Sequence, residues 1–155
     1  MIRGKFGGTR FRLFGQDYNF NHDEIGNYLH FQTSLRAVDK VPNDRPWTQN
    51  FGYFWKRLTG KYATKMAGKK SSHIHNPGIR YFYRILAHTV FGRGESTSTV
   101  NMRELYIINC LFEPREVHTA AFMLAHMDMI ANAPSGGIAF GGLITSLAYA
   151  LGLGA

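Results

Sequence analysis

The stretch from Asn76 to Gly92 constrains the fold more than any other part of the chain. Asn76 is a helix-capping residue, and Pro77 follows at the first helical position, where its missing amide costs nothing. Ile79, Phe82, Leu86 and Val90 then fall at helical spacing on one side, while Arg80, Arg84 and His88 recur every four residues on the other. Gly92 closes the pattern. A chain that commits this much sequence to an amphipathic helix must bury the apolar stripe against other elements, so the spacing predicts a mainly helical fold.

The remaining segments fit that frame. Phe11 and Leu13 alternate with Arg10 and Arg12, then Tyr18 and Phe20 with Asn19 and Asn21, which predicts two short strands joined at Gly15-Gln16-Asp17. Asn21 with Glu24 three residues on is a capping box, and it opens a helix carrying Ile25, Tyr28 and Leu29. Asn101 and Glu104 repeat the device ahead of Leu105, Ile108 and Phe112. Residues 33–50, with Pro42, Asn43, Asp44 and Pro46, read as a loop, and Phe51, Tyr53, Phe54, Trp55 and Leu58 as a short helix packed beneath it. Thr119 is the expected cap of a core helix bearing Phe122, Ala125, His126, Met129 and Ile130. A short strand, Ile138 to Phe140, then leads into a buried helix from Leu143 to Leu151. The fold class expected is mainly α with a small N-terminal β-hairpin (α+β), five to six helices in one domain. Its parts are a hairpin with capped helix (9–32), a loop-rich basic segment (33–75) and a helical core (76–155).

With 155 residues, 45% apolar and 14% aromatic, the chain can bury a core without disulfides or metals. Cys110 is the single cysteine, which suits a reducing, intracellular setting in nucleus or cytoplasm. The opening residues lack the apolar run of a signal peptide. Gly136 to Ala155 carries no charge, yet its six glycines and the absence of a flanking cation argue against membrane insertion.

The net charge of +8 is confined to one half: residues 1–80 hold 14 Lys and Arg against 5 Asp and Glu, and residues 81–155 hold 4 against 5. A localised positive field attracts polyanions. Its densest part is Lys56, Arg57, Lys61, Lys65, Lys69 and Lys70, with no acid between 56 and 70. Arg57, Lys61, Lys65 and Lys69 step by four, so a helix there would present a basic stripe beside Trp55, Tyr62 and Met66, with Arg80 and Arg84 assisting, but Gly60 and Gly68 weaken such a helix. RNA or DNA is the partner this pattern suggests; a solvated linker explains the same residues.

Catalytic templates fail on named residues. Gly68-Lys69-Lys70-Ser71 approaches a phosphate loop, but Lys70 stands where Ser or Thr belongs and Ala63 where the first glycine belongs. Gly92-Arg93-Gly94 lacks a third glycine at Thr97. His73 and His75 have no third metal ligand at a suitable spacing. His118 reads as a loop residue and His126 as a satisfied core histidine. Cys110, among Ile107, Ile108 and Leu111, is an inert buried thiol. Glu113 and Glu116 bracket Pro114 without forming an acid–base pair. No catalytic residue, metal or cofactor is expected, and the chain reads as non-enzymatic.

Several blocks carry a family resemblance. They are Phe11-Arg12-Leu13-Phe14-Gly15-Gln16-Asp17-Tyr18 with Asp23-Glu24-Ile25-Gly26, Asn76-Pro77-Gly78-Ile79-Arg80-Tyr81-Phe82-Tyr83-Arg84-Ile85-Leu86-Ala87 with Phe91-Gly92-Arg93-Gly94, and Gly141-Gly142-Leu143-Ile144-Thr145 with Ala150-Leu151-Gly152. Arg103-Glu104-Leu105 and Val117-His118-Thr119-Ala120-Ala121-Phe122 fit as well. The chain resembles the first open-reading-frame product of plant Athila-type LTR retrotransposons and, more faintly at its hairpin, the plant mobile domain. The resemblance runs from about Thr9 to Leu153 and implies an element-derived protein with no catalytic or binding residues to transfer. Because family members are longer at both ends, it also implies a fragment or decayed copy of a longer protein. Self-association through the uncharged C-terminal segment is the alternative to nucleic-acid binding.

Overall fold

The computed structural model describes residues 2–3, 9–31, 34, 36–41, 45–94, 97–113, 115–133 and 140–153. Three short strands begin the chain: β1 (Ile2–Arg3), β2 (Thr9–Leu13) and β3 (Gln16–Phe20), hydrogen-bonded in that order and antiparallel. β1 lies outside the expected two-strand hairpin. The turn is Phe14-Gly15, not Gly15-Gln16-Asp17. Both residues take positive φ, 47° and 82°, the two-residue connection whose twist suits a hairpin. Gln16 and Asp17 are thereby freed to pair with Leu13 and Arg12. Phe11, Tyr18 and Phe20 share one face with ring centroids 5.8–5.9 Å apart, and Arg10 bonds Asp17 at 2.9 Å on the other.

Capping chemistry fixes the starts of the helices. In α1 (His22–Tyr28) the Glu24 amide donates to Asn21 Oδ1 at 2.8 Å, and the Asn21 amide donates to the Glu24 carboxylate at 2.7 Å. The helix α2 (Arg45–Thr59) is much longer than expected and absorbs the end of the 33–50 loop, whose residues 33, 35 and 42–44 lie outside the described set. Pro46 is its second residue, where no intrahelical N–H is needed. Trp47, Phe51, Phe54, Trp55 and Leu58 are buried along one side at helical spacing. Tyr53 is exposed on the opposite side, so it does not join the packed run.

Asn76 caps α3 (Pro77–Thr89) by accepting from the Gly78 and Ile79 amides. Its buried face centres on Tyr83, Leu86 and Ala87, and Val90 follows, whereas Ile79 and Phe82 are half-buried. The second capping box opens α4 (Met102–Phe112), which packs against both α2 and α3. α5 (Thr119–Ala131) packs on α1. Its cap is His118 rather than Thr119. The His118 Nδ1 accepts from the Ala121 amide at 3.2 Å while Nε2 lies 3.0 Å from Asp23 Oδ1, so one imidazole serves both the helix end and α1. His118 is accordingly buried and not a free loop residue.

The last helix, α6 (Gly141–Ala150), is not the buried helix expected. Leu147 is buried, but Ile144 and Tyr149 are exposed, because the helix is apolar around most of its circumference and has one supported side. Phe140 caps it and packs over Gly92, whose φ is +49° and whose added Cβ would stand 2.7 Å from the Phe140 ring. Residues 138 and 139 of the expected strand lie outside the described set. Among the described residues no helix is long and apolar enough to cross a membrane.

A continuous buried cluster runs from Ile25 to Phe140, with Trp55, Tyr83, Phe91, Tyr106 and Phe122 almost fully enclosed. His126 sits within it edge-on to Phe91 at 5.1 Å and to Phe140 at 6.3 Å. Its ring nitrogens make no hydrogen bond of ordinary geometry, so it is not the satisfied histidine expected. The front and rear of the chain are stitched together by a parallel bridge between Val38 and Val117, two backbone bonds of 2.9 Å, and a Ser34–Glu116 contact.

Candidate nucleic-acid interface

The four-residue spacing of Arg57, Lys61, Lys65 and Lys69 does not lie on a helix. α2 stops at Thr59, and Gly60 follows with φ +74°, a left-handed geometry that costs a glycine nothing and ends the helix. The Thr59 hydroxyl, donating to the Trp55 carbonyl at 2.9 Å, helps close the last turn. A second such glycine, Gly68 at φ +72°, turns the chain again ahead of Lys69 and Lys70.

After Gly60 the chain folds back along α2. The contact is made at Gly52, where an added Cβ would stand 2.2 Å from the Ala63 carbonyl oxygen and 2.8 Å from the Tyr62 ring. Only a missing side chain admits so close an approach. We expect Gly52→Ala to cost roughly 2–3 kcal/mol by overpacking, although alanine otherwise favours a helix interior by about 1 kcal/mol. Gly142→Ala in α6, with open space around its Cβ, is the control that should not destabilise. Chemical denaturation of the two variants checks the contrast.

The fold-back sets Tyr62 against Tyr53 with ring centroids 5.0 Å apart, and the two rings remain 48% and 66% exposed. Tyr53, Lys56 and Arg57 occupy the solvent side of α2, and Lys61 immediately precedes Tyr62. Arg57 also leans over the Phe112 ring, 4.9 Å from its centroid, so this cation is held by a cation–π contact rather than by a carboxylate. Trp55, expected beside the basic residues as a stacking group, is buried against the core and unavailable to a base, and Met66 is half-buried.

The other cations spread beyond this cluster. Lys65 is exposed in the returning segment. Lys69 and Lys70 run antiparallel to Thr99 and Val100, with the Val100 amide donating to the Lys69 carbonyl at 2.8 Å. Arg80 is half-buried and Arg84 exposed on α3. None of these eight cations forms an ion pair among the described residues. The reason lies in the sequence, which places no Asp or Glu between Arg45 and Gly94. Lys56 and Arg57 share the solvent side of α2 with Tyr53, and Lys61 adjoins Tyr62 along the chain. Lys65, Lys69, Lys70, Arg80 and Arg84 are positioned separately, on the return segment, the 69–100 bridge and α3.

Among the described residues no group of His, Cys, Asp and Glu is arranged to hold a metal. Cys110 is buried, and that burial pushes its thiol up, away from a reactive thiolate. Sequence reasoning missed one strong polar network. Arg93 Nη1 lies 2.8 and 2.9 Å from the two oxygens of Glu104, which is fully enclosed, and 2.7 Å from the Thr99 carbonyl. Burial pushes the Glu104 carboxyl up, against the opposing pull of Arg93 and the Asn101 amide. The Tyr83 hydroxyl, 2.8 Å from the Thr99 carbonyl, is raised to about 12 by burial and by the Glu104 charge. Glu104 was legible as a capping residue, but nothing in the spacing tied it to Arg93.

These elements define a small, mainly helical protein with an N-terminal sheet, a continuous apolar core and an exposed tyrosine pair beside cations that make no ion pair among the described residues. Its sequence matches the model of the ATHILA ORF-1 family over residues 1–113. The chain belongs to that family and is a retrotransposon-derived protein of the plant Athila type. The resembling blocks at 117–122 and 141–152, with α5 and α6, lie beyond the matched residues. No curated protein and no solved structure matches the chain.

Proposed function

We propose that this protein is a non-enzymatic nucleic-acid-binding domain whose contact centre is Tyr53, Lys56, Arg57, Lys61 and Tyr62. The observation that carries the reading is the exposed tyrosine pair set among cations that have no carboxylate partners. Ammonium and guanidinium groups neutralise phosphates, and an exposed aromatic face stacks on an unpaired base. The combination suits single-stranded RNA or DNA better than a duplex, whose bases are already stacked. Lys65, Lys69, Lys70, Arg80 and Arg84 extend the positive field around that centre.

Fluorescence anisotropy with a labelled single-stranded RNA over a salt series tests this. Neutralising Lys56, Arg57 and Lys61 to glutamine together should flatten the log–log salt slope by about 2, at roughly 0.7 per phosphate contact on a single strand. Tyr53→Ala with Tyr62→Ala should instead weaken binding by roughly tenfold or more while leaving the slope unchanged. Binding that is absent in low salt, or indifferent to both sets, overturns the reading.

A second reading, self-association, draws on the uncharged α6, which leaves Ile144 and Tyr149 exposed. Light scattering across a concentration series, with Tyr149→Lys as the interrupting variant, distinguishes it.

A further inference from the structure

A cavity lies between the sheet, α1, α5 and α6, and none of the cations of the candidate interface is among its lining residues. Its volume is about 150 Å³. Leu13 from β2, Leu29 at the C-terminal cap of α1, Met123 and Met127 from α5, and Ile144 and Leu147 from α6 are among its lining residues. Every residue of that lining is apolar except Arg12. The Arg12 side chain is mostly exposed and directs its Nε to the Gly15 carbonyl at 3.1 Å and toward Asp17 at 3.7 Å, so its charged end is committed at the rim.

We propose that this cavity is a binding site for a compact, uncharged apolar molecule or group of about the size of benzene. Three features carry the proposal. The space is open to solvent along one edge, yet its lining offers water no convergent polar partners, so a small hydrocarbon competes well with water for it. The α5 wall presents two methionines, Met123 and Met127, whose unbranched side chains adjust to an occupant's shape at little cost. The fourth wall is α6, which lays Leu143 and Leu147 toward the cavity, with the exposed Ile144 at its edge and Gly142, Thr145, Ser146, Tyr149 and Ala150 facing solvent. A helix held on one side can shift to admit an occupant without disturbing α1 or α5, which remain packed on each other.

The test uses the full chain labelled with ¹³C at the methionine methyls and titrated with benzene. Met123 and Met127 should show saturable shifts, the remaining methionines should not, and the thermal midpoint should rise by a few degrees. Ile144→Trp fills the space from its accessible edge, and Leu147→Phe fills it from within. Either should weaken benzene binding at least tenfold and remove the thermal gain. Two substitutions at different depths keep the test decisive if one of them disturbs folding. Shifts that never saturate, that appear equally at all methionines, or that survive both variants overturn the proposal. So does a concentration-dependent dimer dissolved by Ile144→Trp, which would mean that a neighbouring copy fills the space.

Discussion

Replacing Arg93 with methionine is expected to destabilise the protein by about 3–5 kcal/mol, the penalty for stranding a buried charge by removing its partner. The partner is Glu104, whose side chain is wholly enclosed and takes both of its carboxylate contacts to Arg93 from a single Nη1. Methionine keeps much of the volume, so the loss reports charge rather than packing. In a chain of this length such a change lowers the thermal midpoint by about 10 °C. The variant should also acquire a telling pH dependence. Without Arg93, the folded-state pKa of Glu104 rises further above its unfolded value, so stability is retained where the carboxyl is protonated and is lost as pH rises through that folded pKa. The double variant Arg93→Met/Glu104→Gln should recover most of the loss, since glutamine still accepts from the Asn101 amide and no charge remains to be buried. Urea denaturation of the three proteins at pH 5 and pH 8 checks this. A single variant as stable as the parent would show that the pair contributes nothing.

Acidification should weaken the core through His126. Burial first, then the nearby positive charges of Arg103 and Arg93, lower its imidazole to about 4, with only a small counterweight from the Phe91 backbone. An unfolded histidine titrates near 6.5. The folded base therefore holds its proton more weakly than the unfolded one, and stability falls as pH drops below about 6.5, by roughly 1.4 kcal/mol per unit until about pH 4. The total is about 3 kcal/mol. Glu104, with its raised carboxyl, works in the opposite sense over part of that window, so the informative quantity is a difference. The parent should lose about 2 kcal/mol more between pH 7.5 and pH 5 than His126→Leu does. Equal slopes for the two proteins would mean that His126 is not buried as a neutral ring.

Local chemistry was the legible part of this fold. Both capping boxes, the Asn76-Pro77 start and the alternation of Phe11 and Leu13 with Arg10 and Arg12 act within a few residues of themselves, and each is where the sequence places it. Errors arose where distant groups competed. Thr119 is a good cap by type, yet His118 takes the position because Asp23 waits 95 residues earlier to hold its other nitrogen. The length of α2 was hidden by Pro46, which looks like a breaker and is harmless in a first turn. The helical stripe of cations failed on Gly60 and Gly68, whose weakening of a helix there was readable from residue type, and both take positive φ. Arg57 and Lys61 nevertheless remain neighbours of an aromatic pair, because Gly52 lets Tyr62 return to Tyr53. Sequence reading found the charges and missed the device that gathers them.

The stitch between His118 and Asp23 also governs the order in which the chain becomes a folded object during synthesis. With 95 residues separating the two partners, and a ribosome adding roughly 5–20 residues per second, the hairpin and α1 wait about 5–20 s for the helix that covers them. Throughout that interval Ile25, later among the most enclosed side chains of the molecule, has no α5 to cover it. A stop codon placed ahead of α5 would leave the front of the protein without its lid for good.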